Sequence, residues 1–401
     1  MRKILFFHHY NSPVGAGLSL LHILQSIDQN ENEITVCIPP IKGELEQKIK
    51  ELGIRVIYST AVVPYMHFSG SNLRFLSKRY FGNCRQINRA KEELETLIKK
   101  ENPDCIAVNS LTLFWIGEVA KKLTKKTVCF HRETFDHGLF GYRTKIMKKK
   151  LSQNFDGIAF LSNYDLSEMQ TVCDKFVRIT DKVDVDAYEK LNKEECRDKL
   201  LLPRDKRLIL YVGGMAKLKG PDVVVKAMKW VNDVNTQLVF LQYKPKQIQG
   251  LKAKIKYLLK ILLNKNLDYK VLRIIKKNKL QNRICFHPAT DKVEEYFTAC
   301  DVVVFPSVQA HQARPIYEAA IAKKPIIVTD FKNTREFLDE TNGWLFKKKD
   351  SKMLAKKINT IFAGDFSDKL EVNYKRAFET NNLRTLPNEL HSLFESVFWG
   401  E

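Results

Sequence analysis

Short apolar runs of strand length recur along the chain and alternate with segments that have helical periodicity. The first half contains KILFFH, ITVCIP, IRVIYS, CIAVNS, TVCFHR and GIAFLS, and the second half contains LILYVGG, TQLVFLQY, RICFHP, DVVVFPS and KPIIVTD. Many of these runs are almost continuously apolar, which is typical of parallel strands covered by helices on both faces. The pattern therefore predicts an α/β protein built on doubly wound parallel sheets.

The alternation is interrupted once, near the middle of the chain. Residues 183–207 are charged and contain no strand-like run, and a second series of apolar runs follows them. The length of 401 residues also exceeds what a single core usually holds. We therefore predict two Rossmann-like domains facing a cleft, residues 1–185 and 186–382. A final helix near 383–400 is expected to pack back on the first domain.

The charge balance points to an anionic partner, because the formal net charge is +21. A nucleic-acid partner is disfavoured, since no helix-turn-helix and no basic motif interleaved with aromatic residues is found. The eight cysteines have no metal-ligand spacing and are expected to be reduced thiols. No apolar run is long enough for a signal peptide or a membrane span. We expect a cytoplasmic protein, or one peripheral to the inner face of the plasma membrane.

Residues 244–279 form a strongly basic insertion, with twelve Lys or Arg residues and a single acid, Asp268. Leucine and isoleucine recur at helical spacing between Leu251 and Leu262, with lysines distributed around them. Such a helix can lie in the headgroup layer of an anionic membrane. It can equally pack its apolar stripe on its own domain, and the sequence leaves both interpretations open.

A glycine- and lysine-containing turn, VGGMAKLKG, follows the apolar run that ends at Val212. Gly213 and Gly214 permit close approach of the backbone to a ligand, and Lys217 and Lys219 supply positive charge for phosphate oxygens. The spacing differs from that of a P-loop and from the GxGxxG dinucleotide fingerprint. By itself the stretch is equally compatible with a tight turn that carries surface lysines.

A second stretch, DVVVFPSVQAHQARPIYEAA, runs from a strand through a loop into a helix. The strand is expected over residues 301–305, and Pro315 is suited to the first turn of the helix. We place Glu318 on that same first turn, near the positive end of the helix dipole. There its carboxylate could accept hydrogen bonds from ribose hydroxyls while backbone amides face phosphate.

Together these stretches resemble the retaining nucleotide-sugar glycosyltransferases of the GT-B fold, glycosyltransferase family 4 (group 1). The resemblance covers most of the chain and is strongest from Leu208 to Phe346. The family's phosphate turn reads G-R-L-x-x-x-K-G, and its conserved lysine corresponds to Lys219 while Gly214 replaces its arginine. Glu318 matches the second of two paired family glutamates, and Ala310 stands at the position of the first.

The resemblance implies that residues 1–185 form the acceptor side and that residues 186–382 bind the nucleotide sugar, with site residues in both halves of the chain. The N-terminal stretch NSPVGAG matches the family's glycine loop, and the strand TVCFH ends where the family has a histidine facing the cleft. The residues between the domains, Asp181 and Lys182, replace a family Asn-Gly and are interpreted only as a register marker. The implied donor-binding residues are Gly15, Gly17, Gly213, Gly214, Lys217, Lys219, His311, Gln312, Arg314 and Glu318. The implied catalytic residues are His131, Lys219 and Glu318.

The activity that the resemblance implies is metal-independent hexosyl transfer from a nucleotide diphosphate sugar, with retention and without a cofactor. The acceptor would be a glycan or lipid-linked molecule in cell-surface polysaccharide biosynthesis. Gly214 and Ala310 leave open a catalytically weakened paralogue that binds sugar nucleotides or regulates another protein. A nicotinamide oxidoreductase would need a complete glycine fingerprint, which Gly15 and Gly17 supply only in part.

Overall fold

A computed structural model of the chain describes residues 1–65, 77–135, 141–169, 176–245, 266–310 and 314–399. The chain divides into two compact units. Unit 1 comprises Met1–Lys182 and Leu383–Glu401, and unit 2 comprises Val183–Asn382. The chain therefore first passes from unit 1 to unit 2 between Lys182 and Val183, whereas we predicted the boundary after residue 185.

Unit 1 contains a seven-stranded parallel sheet in the order β3-β2-β1-β4-β5-β6-β7. Its strands are β1 (Arg2–Phe7), β2 (Asn32–Ile38), β3 (Arg55–Tyr58), β4 (Cys105–Val108), β5 (Lys126–His131), β6 (Gly157–Phe160) and β7 (Phe176–Arg178). The helices between them are α1 (Ala16–Ser26), α2 (Leu45–Glu51), α3 (Lys78–Glu101), α4 (Ile116–Lys122), α5 (Tyr142–Asn154) and α6 (Asn163–Ser167).

The central strand β1 shows why these runs read as continuously apolar. Leu5 and Phe7 belong to the core on one face of the sheet, whereas Ile4 and Phe6 belong to the core on the other face. All four side chains are buried because helices cover both faces.

Unit 2 contains a six-stranded parallel sheet in the order β10-β9-β8-β11-β12-β13. Its strands are β8 (Arg207–Val212), β9 (Thr236–Leu241), β10 (Ile284–Phe286), β11 (Val302–Phe305), β12 (Ile326–Thr329) and β13 (Trp344–Phe346). Its helices are α7 (Val185–Glu189), α8 (Lys193–Lys199), α9 (Pro221–Ala227), α10 (Leu267–Lys277), α11 (Val293–Ala299), α12 (Arg314–Ile321), α13 (Ser351–Ala363) and α14 (Ser367–Asn381). Two doubly wound parallel sheets confirm the predicted fold class.

The last helix, α15 (Leu386–Trp399), belongs to unit 1 although it follows unit 2 in the chain. Leu390, Leu393 and Val397 are buried in the same apolar cluster as Ile4 and Phe6. The chain therefore returns to its first unit to complete that core.

The basic insertion is described only at its ends, and the leucine stripe that we predicted between residues 251 and 262 lies outside the described residues. Its last part forms α10, where Val271 and Ile275 are buried in a cluster with Val224 of α9. This part of the insertion packs on its own unit. Within the described residues, no helix has the length and apolar composition needed to cross a bilayer.

Candidate functional site

The turn after β8 is shaped by two buried glycines. Gly214 has a φ of +52°, and a Cβ atom placed on it would lie 2.6 Å from the carbonyl oxygen of Gln242. A Cβ atom on Gly213 would lie 2.6 Å from the hydroxyl oxygen of Tyr211. Because real Cβ atoms do not approach that closely, the turn accepts no larger side chain at either position without moving. The arginine that the family has at the position of Gly214 therefore does not fit this backbone.

Tyr211, on β8, contacts both ends of this turn through its hydroxyl group. Its buried hydroxyl lies 3.1 Å from the Gly214 carbonyl oxygen, to which it donates, and 3.4 Å from the carbonyl oxygen of Lys219. Burial raises the pKa of this hydroxyl well above its usual value, so the proton is retained. Sequence reasoning missed Tyr211, and its only signal was a tyrosine near the end of a strand, two residues before the first of two glycines.

The turn and the loop after β11 lie side by side, because β8 and β11 are neighbouring strands. The Val308 amide donates to the Leu218 carbonyl oxygen at 2.8 Å, and the Ser307 hydroxyl oxygen lies 3.0 Å from the same oxygen and 2.7 Å from the Gln309 carbonyl oxygen. Gly220 has a φ of +70°, and a Cβ atom there would lie 2.1 Å from the Pro306 carbonyl oxygen. The structure thus brings the two stretches together at the carboxyl edge of the unit 2 sheet.

The two lysines of the turn differ in their surroundings. They occupy a short 3-10 helix, Lys217–Lys219. The Lys219 ammonium group lies 4.7 Å from the centroid of the Phe305 ring, at the end of β11, and its side chain is half-buried. Lys217 is exposed. A cation held against an aromatic face is restricted in position, so Lys219 is the better placed of the two to meet a bound anion.

Glu318 is buried on the second turn of α12, whereas we predicted it on the first turn. The reason is that the helix begins at Arg314, one residue ahead of Pro315, so that Glu318 is its fifth residue. Arg314 is half-buried at the start of the helix. The predicted donor residues His311 and Gln312 lie outside the described residues.

Tyr188 of α7 is a further polar residue near Glu318 that sequence reasoning missed. Burial raises the pKa of its hydroxyl well above the usual value, and the negative charge of Glu318 adds to that effect. The positive charge of Arg314 acts in the opposite direction. Among the described residues this buried hydroxyl has no hydrogen-bond partner. The interior of unit 2 next to α12 therefore carries an acid, a cation and a hydroxyl.

In unit 1 the predicted glycine loop leads directly into α1. Gly15 has a φ of +56°, in the left-handed region that favours glycine. A Cβ atom on Gly17 would lie 1.9 Å from the Ser12 carbonyl oxygen. The loop is also anchored to α2, because the Asn11 side chain accepts a hydrogen bond from the Glu46 amide at 2.9 Å. The positive φ at Gly15 and the close backbone approach at Gly17 therefore require the two predicted glycines.

His131 is the last residue of β5 and is only 1% exposed. Its ring lies between those of Phe135 and Phe160, with both centroid distances at 4.7 Å. The structure therefore places this predicted catalytic residue within the aromatic packing at the end of the strand.

Glu133 follows two residues later, and the pKa of its carboxyl group is displaced. The Ser110 hydroxyl and the Leu111 amide donate to its two carboxylate oxygens at 2.6 and 2.7 Å. Burial nevertheless raises the pKa of this carboxyl to about 7, against the opposing effect of these hydrogen bonds.

The carboxyl edge of unit 2 combines a glycine turn, a restrained ammonium group and a buried carboxylate on the next helix. Glycine turns that follow a strand and carry nearby lysines suit phosphate oxygens, and a carboxylate suits sugar hydroxyls. Among the described residues, no three His, Cys, Asp or Glu side chains are grouped so that they could hold a metal ion.

Comparisons with known proteins point to one class of enzyme. The model of the family "Glycosyl transferases group 1" matches residues 192–379, which include the turn after β8 and helix α12. D-inositol 3-phosphate glycosyltransferase of Xylanimonas cellulosilytica is 26% identical over 175 residues. That match covers 42% of this chain and 37% of the relative, so the chain spans little more than a third of its curated relative.

Two solved structures resemble the whole chain. Anabaena Alr3699/HepE, solved in complex with UDP, superimposes with a TM-score of 0.75 at 15% identity and covers 99% of this chain and 100% of its own. A glycosyltransferase from Rickettsia africae gives a TM-score of 0.73 at 16% identity, covering 100% of this chain and 99% of its own. At such identities the likeness shows the fold, which is the GT-B fold.

Proposed function

We propose that the protein transfers a sugar from a nucleotide diphosphate donor to an acceptor, because residues 192–379 match the model of the group 1 glycosyl transferases. The observation that carries this proposal is that the loop before α12 is hydrogen-bonded to the lysine-bearing turn, from the Val308 amide to the Leu218 carbonyl oxygen. The two stretches that the family uses to bind its donor are thus parts of one local structure.

The turn would hold the donor's diphosphate. Departure of a nucleoside diphosphate leaves negative charge on the phosphate oxygens, and a cation fixed in advance stabilises that charge more than a mobile one does. Lys219 meets this requirement, since its ammonium group is restrained over Phe305. Gly213 lets the turn pack closely on Tyr211, and Glu318 would accept hydrogen bonds from the ribose hydroxyls.

The finer features of the reaction follow from the family resemblance. We propose a hexosyl donor, retention at the anomeric carbon, no metal ion and no cofactor, and a glycan or lipid-linked acceptor of cell-surface polysaccharide synthesis. Residues 11–17 and His131 would lie on the acceptor side. The burial of His131 between Phe135 and Phe160 favours a supporting role beneath the site over direct contact with the reacting atoms.

A second candidate function is a sugar-nucleotide-binding protein with weakened catalysis. The observation that favours it is the left-handed backbone at Gly214, which leaves no room for the family's arginine beside Gln242. The diphosphate therefore lacks one cation that the family supplies. Binding with little turnover is the behaviour that this loss would produce.

The test begins with a thermal-shift screen of UDP-, GDP-, ADP- and dTDP-sugars on the full chain, followed by calorimetry with the best donor. We expect Lys219→Ala to weaken donor binding by about 1.5–3 kcal/mol, the usual contribution of a charge-assisted contact. Lys217→Ala is measured in parallel, because it removes the other implied donor-binding lysine from an exposed position in the same turn. We expect a smaller loss than for Lys219→Ala, less than about 0.5 kcal/mol, because exposed charges contribute little.

The outcomes separate the two functions. Donor binding that depends on Lys219, together with release of the nucleoside diphosphate on addition of acceptor, supports the transferase. The same binding without release supports the sugar-nucleotide-binding protein. Absence of binding by every nucleotide sugar, or equal effects of the two lysine variants, would contradict the donor site.

A further inference from the structure

Buried polar side chains join four segments of unit 1 at the carboxyl edge of its sheet. The Ser19 hydroxyl of α1 donates to Asp181 Oδ1 at 2.7 Å, and one Arg132 guanidinium nitrogen lies 3.7 Å from the same oxygen. Arg132 Nε donates to Asn109 Oδ1 at 3.0 Å, and Asn109 Nδ2 donates to the Ala16 carbonyl oxygen at 2.8 Å. We call these contacts the Asp181 network.

Both ends of the Asp181 network reach the first turn of α1. Ala16 is the first residue of that helix, and Ser19 lies one turn along it. Residues 11–17 lead into this turn, and the close approach of Gly17 to the Ser12 carbonyl oxygen limits how the loop can bend. The network therefore fixes, from the sheet side, the helix end to which the glycine loop is attached.

Charge neutralisation makes Asp181 the central member of this network. The Arg132 and Asp181 side chains are only 6% and 12% exposed. A cation buried to this extent is strongly destabilising when its carboxylate is removed, so it moves or draws in water. Movement of Arg132 would break its bond to Asn109 and, through Asn109, the bond to Ala16. This corrects the interpretation of Asp181 as a mere register marker.

We propose that Asp181 is a positioning residue for the reaction, which holds residues 11–17 in their substrate-binding conformation through Ser19 and Arg132. The inference rests on the proposed transferase function for its kinetic consequence. Its structural consequence, that Asp181 keeps the glycine loop ordered, is independent of that function.

The next residue provides a matched control. Lys182 also forms a buried ion pair, but its ammonium group contacts α15, at 2.5 Å from Glu389 Oε1, and the nearby Thr385 hydroxyl at 2.9 Å. Lys182→Met removes that pair from the same segment of chain without touching the loop. A merely structural role for Asp181 predicts that both variants lose stability and that neither one singles out residues 11–17.

The experiment compares Asp181→Asn with Lys182→Met in the full-length chain. Hydrogen exchange followed by mass spectrometry is measured first, without any ligand. We expect backbone amides of residues 15–20 to exchange about tenfold faster or more in Asp181→Asn, the change that loss of a contact to a charged group produces. We expect no change at these amides in Lys182→Met. Ser19→Ala breaks the same link and replaces Asp181→Asn should that variant not fold.

Kinetics then tests the consequence for the reaction. We expect Asp181→Asn to lower kcat at least tenfold while the KM for the nucleotide sugar stays within twofold, and Asp181→Glu to restore part of kcat. Unchanged loop exchange in Asp181→Asn, or equal exchange in the two variants, would overturn the positioning role. Faster exchange with an unchanged kcat would overturn it as well. A wild-type protein without transferase activity would refute the proposed function, and the exchange result would still decide whether Asp181 orders the loop.

Discussion

Burial is the main cause of displaced pKa values at two histidines and one glutamate of unit 1. The pKa of His8 is lowered to about 3 and that of His9 to about 4, whereas that of Glu133 is raised to about 7. Both histidines are therefore neutral near neutral pH. Glu133 is the one of these three whose charge changes there, next to the amide and hydroxyl that donate to it.

The raised pKa of Glu133 gives a pH-dependent stability with a defined sign. A carboxyl group with a pKa of about 7 in the folded protein binds more protons folded than unfolded between about pH 4.5 and 7. Its contribution to the free energy of unfolding therefore decreases as the pH rises through that window. Glu133→Gln lacks this effect, so we expect the variant to gain stability relative to the wild type between pH 5 and 8. Urea unfolding at pH 5, 6, 7 and 8 measures the difference.

Glu93→Gln is the control for this prediction. Hydrogen bonds from Ser59 and Thr60 lower the pKa of Glu93, so its contribution changes only below about pH 4.5. We expect its stability difference from the wild type to stay level from pH 5 to 8. The contributions of His8 and His9 are common to all three proteins and cancel. Parallel pH curves for Glu133→Gln and Glu93→Gln would show that the Glu133 carboxyl is not displaced.

Residues that act through neighbours in the chain were predictable, and residues that act through distant contacts were not. Gly213, Gly214 and Lys219 stand out because a turn that must approach a ligand needs glycines and a cation close together in sequence. Asp181 gave no such signal, since its partner Ser19 is 162 positions away. Tyr188 was missed for the same reason, because its proximity to Glu318 depends on how two helices pack.

At the scale of elements, the turn after β8 departs from the phosphate turn that the family resemblance implies. Its left-handed residue, Gly214, also donates its amide to the Leu241 carbonyl oxygen at 3.2 Å and so ties the turn to the end of β9. The turn therefore has a fixed conformation in which a side chain at position 214 is excluded. Restoring the family's arginine would restore a charge but not the geometry.

We predict that Gly214→Ala lowers the free energy of unfolding by more than the strain of a left-handed residue alone, which is about 1–2 kcal/mol. The additional loss comes from the contact with the Gln242 carbonyl oxygen. Gly53→Ala is the control, because Gly53 has a φ of +77° but no atom within 4 Å of an added Cβ. Chemical denaturation measures both variants, and equal losses would show that the close approach is unimportant. We expect Gly214→Arg to lose stability similarly without tightening donor binding.

The strands that the sequence did not predict are both short edge strands. β7 and β13 have three residues each and pair on one side only. Runs such as FVR and WLF are too short to show a periodicity. These strands form because they pair with a neighbouring strand, which the local sequence does not reveal. The longer strands were predictable because coverage on both faces requires unbroken apolar runs. We predicted the wrong helical turn for Glu318 because the helix begins at Arg314, one residue before Pro315.

At the scale of the whole molecule, the net charge of +21 raises the question of which anionic partner the protein binds. Part of the basic insertion packs as α10, so a membrane role would fall on the lysines before it. We predict that Lys252→Gln, Lys254→Gln and Lys256→Gln together weaken binding to vesicles that contain anionic lipid. Each lysine near a charged bilayer contributes about 1 kcal/mol, and the effect should fade as salt is added.

The matched control replaces Lys347, Lys348 and Lys349, which are exposed after β13, with glutamine. Both triple variants lower the net charge by the same amount. Cosedimentation with phosphatidylserine-containing vesicles should show a larger loss for the insertion variant. Equal losses would mean that the charge of the whole protein, and not the insertion, governs membrane binding.

The pairing of Val183 with Asn382 has a practical consequence. The Val183 amide donates to the Asn381 carbonyl oxygen at 2.7 Å, and a backbone bridge joins Val183 to Asn382, so the first and last residues of unit 2 are adjacent. Unit 2 is thus an insertion whose two ends meet, and residues 183–382 can be excised as one continuous fragment without cutting through its core. On the other side of the cut, Lys182 contacts Thr385, so a short linker could close the remaining chain. We therefore expect each unit to fold as a separate polypeptide.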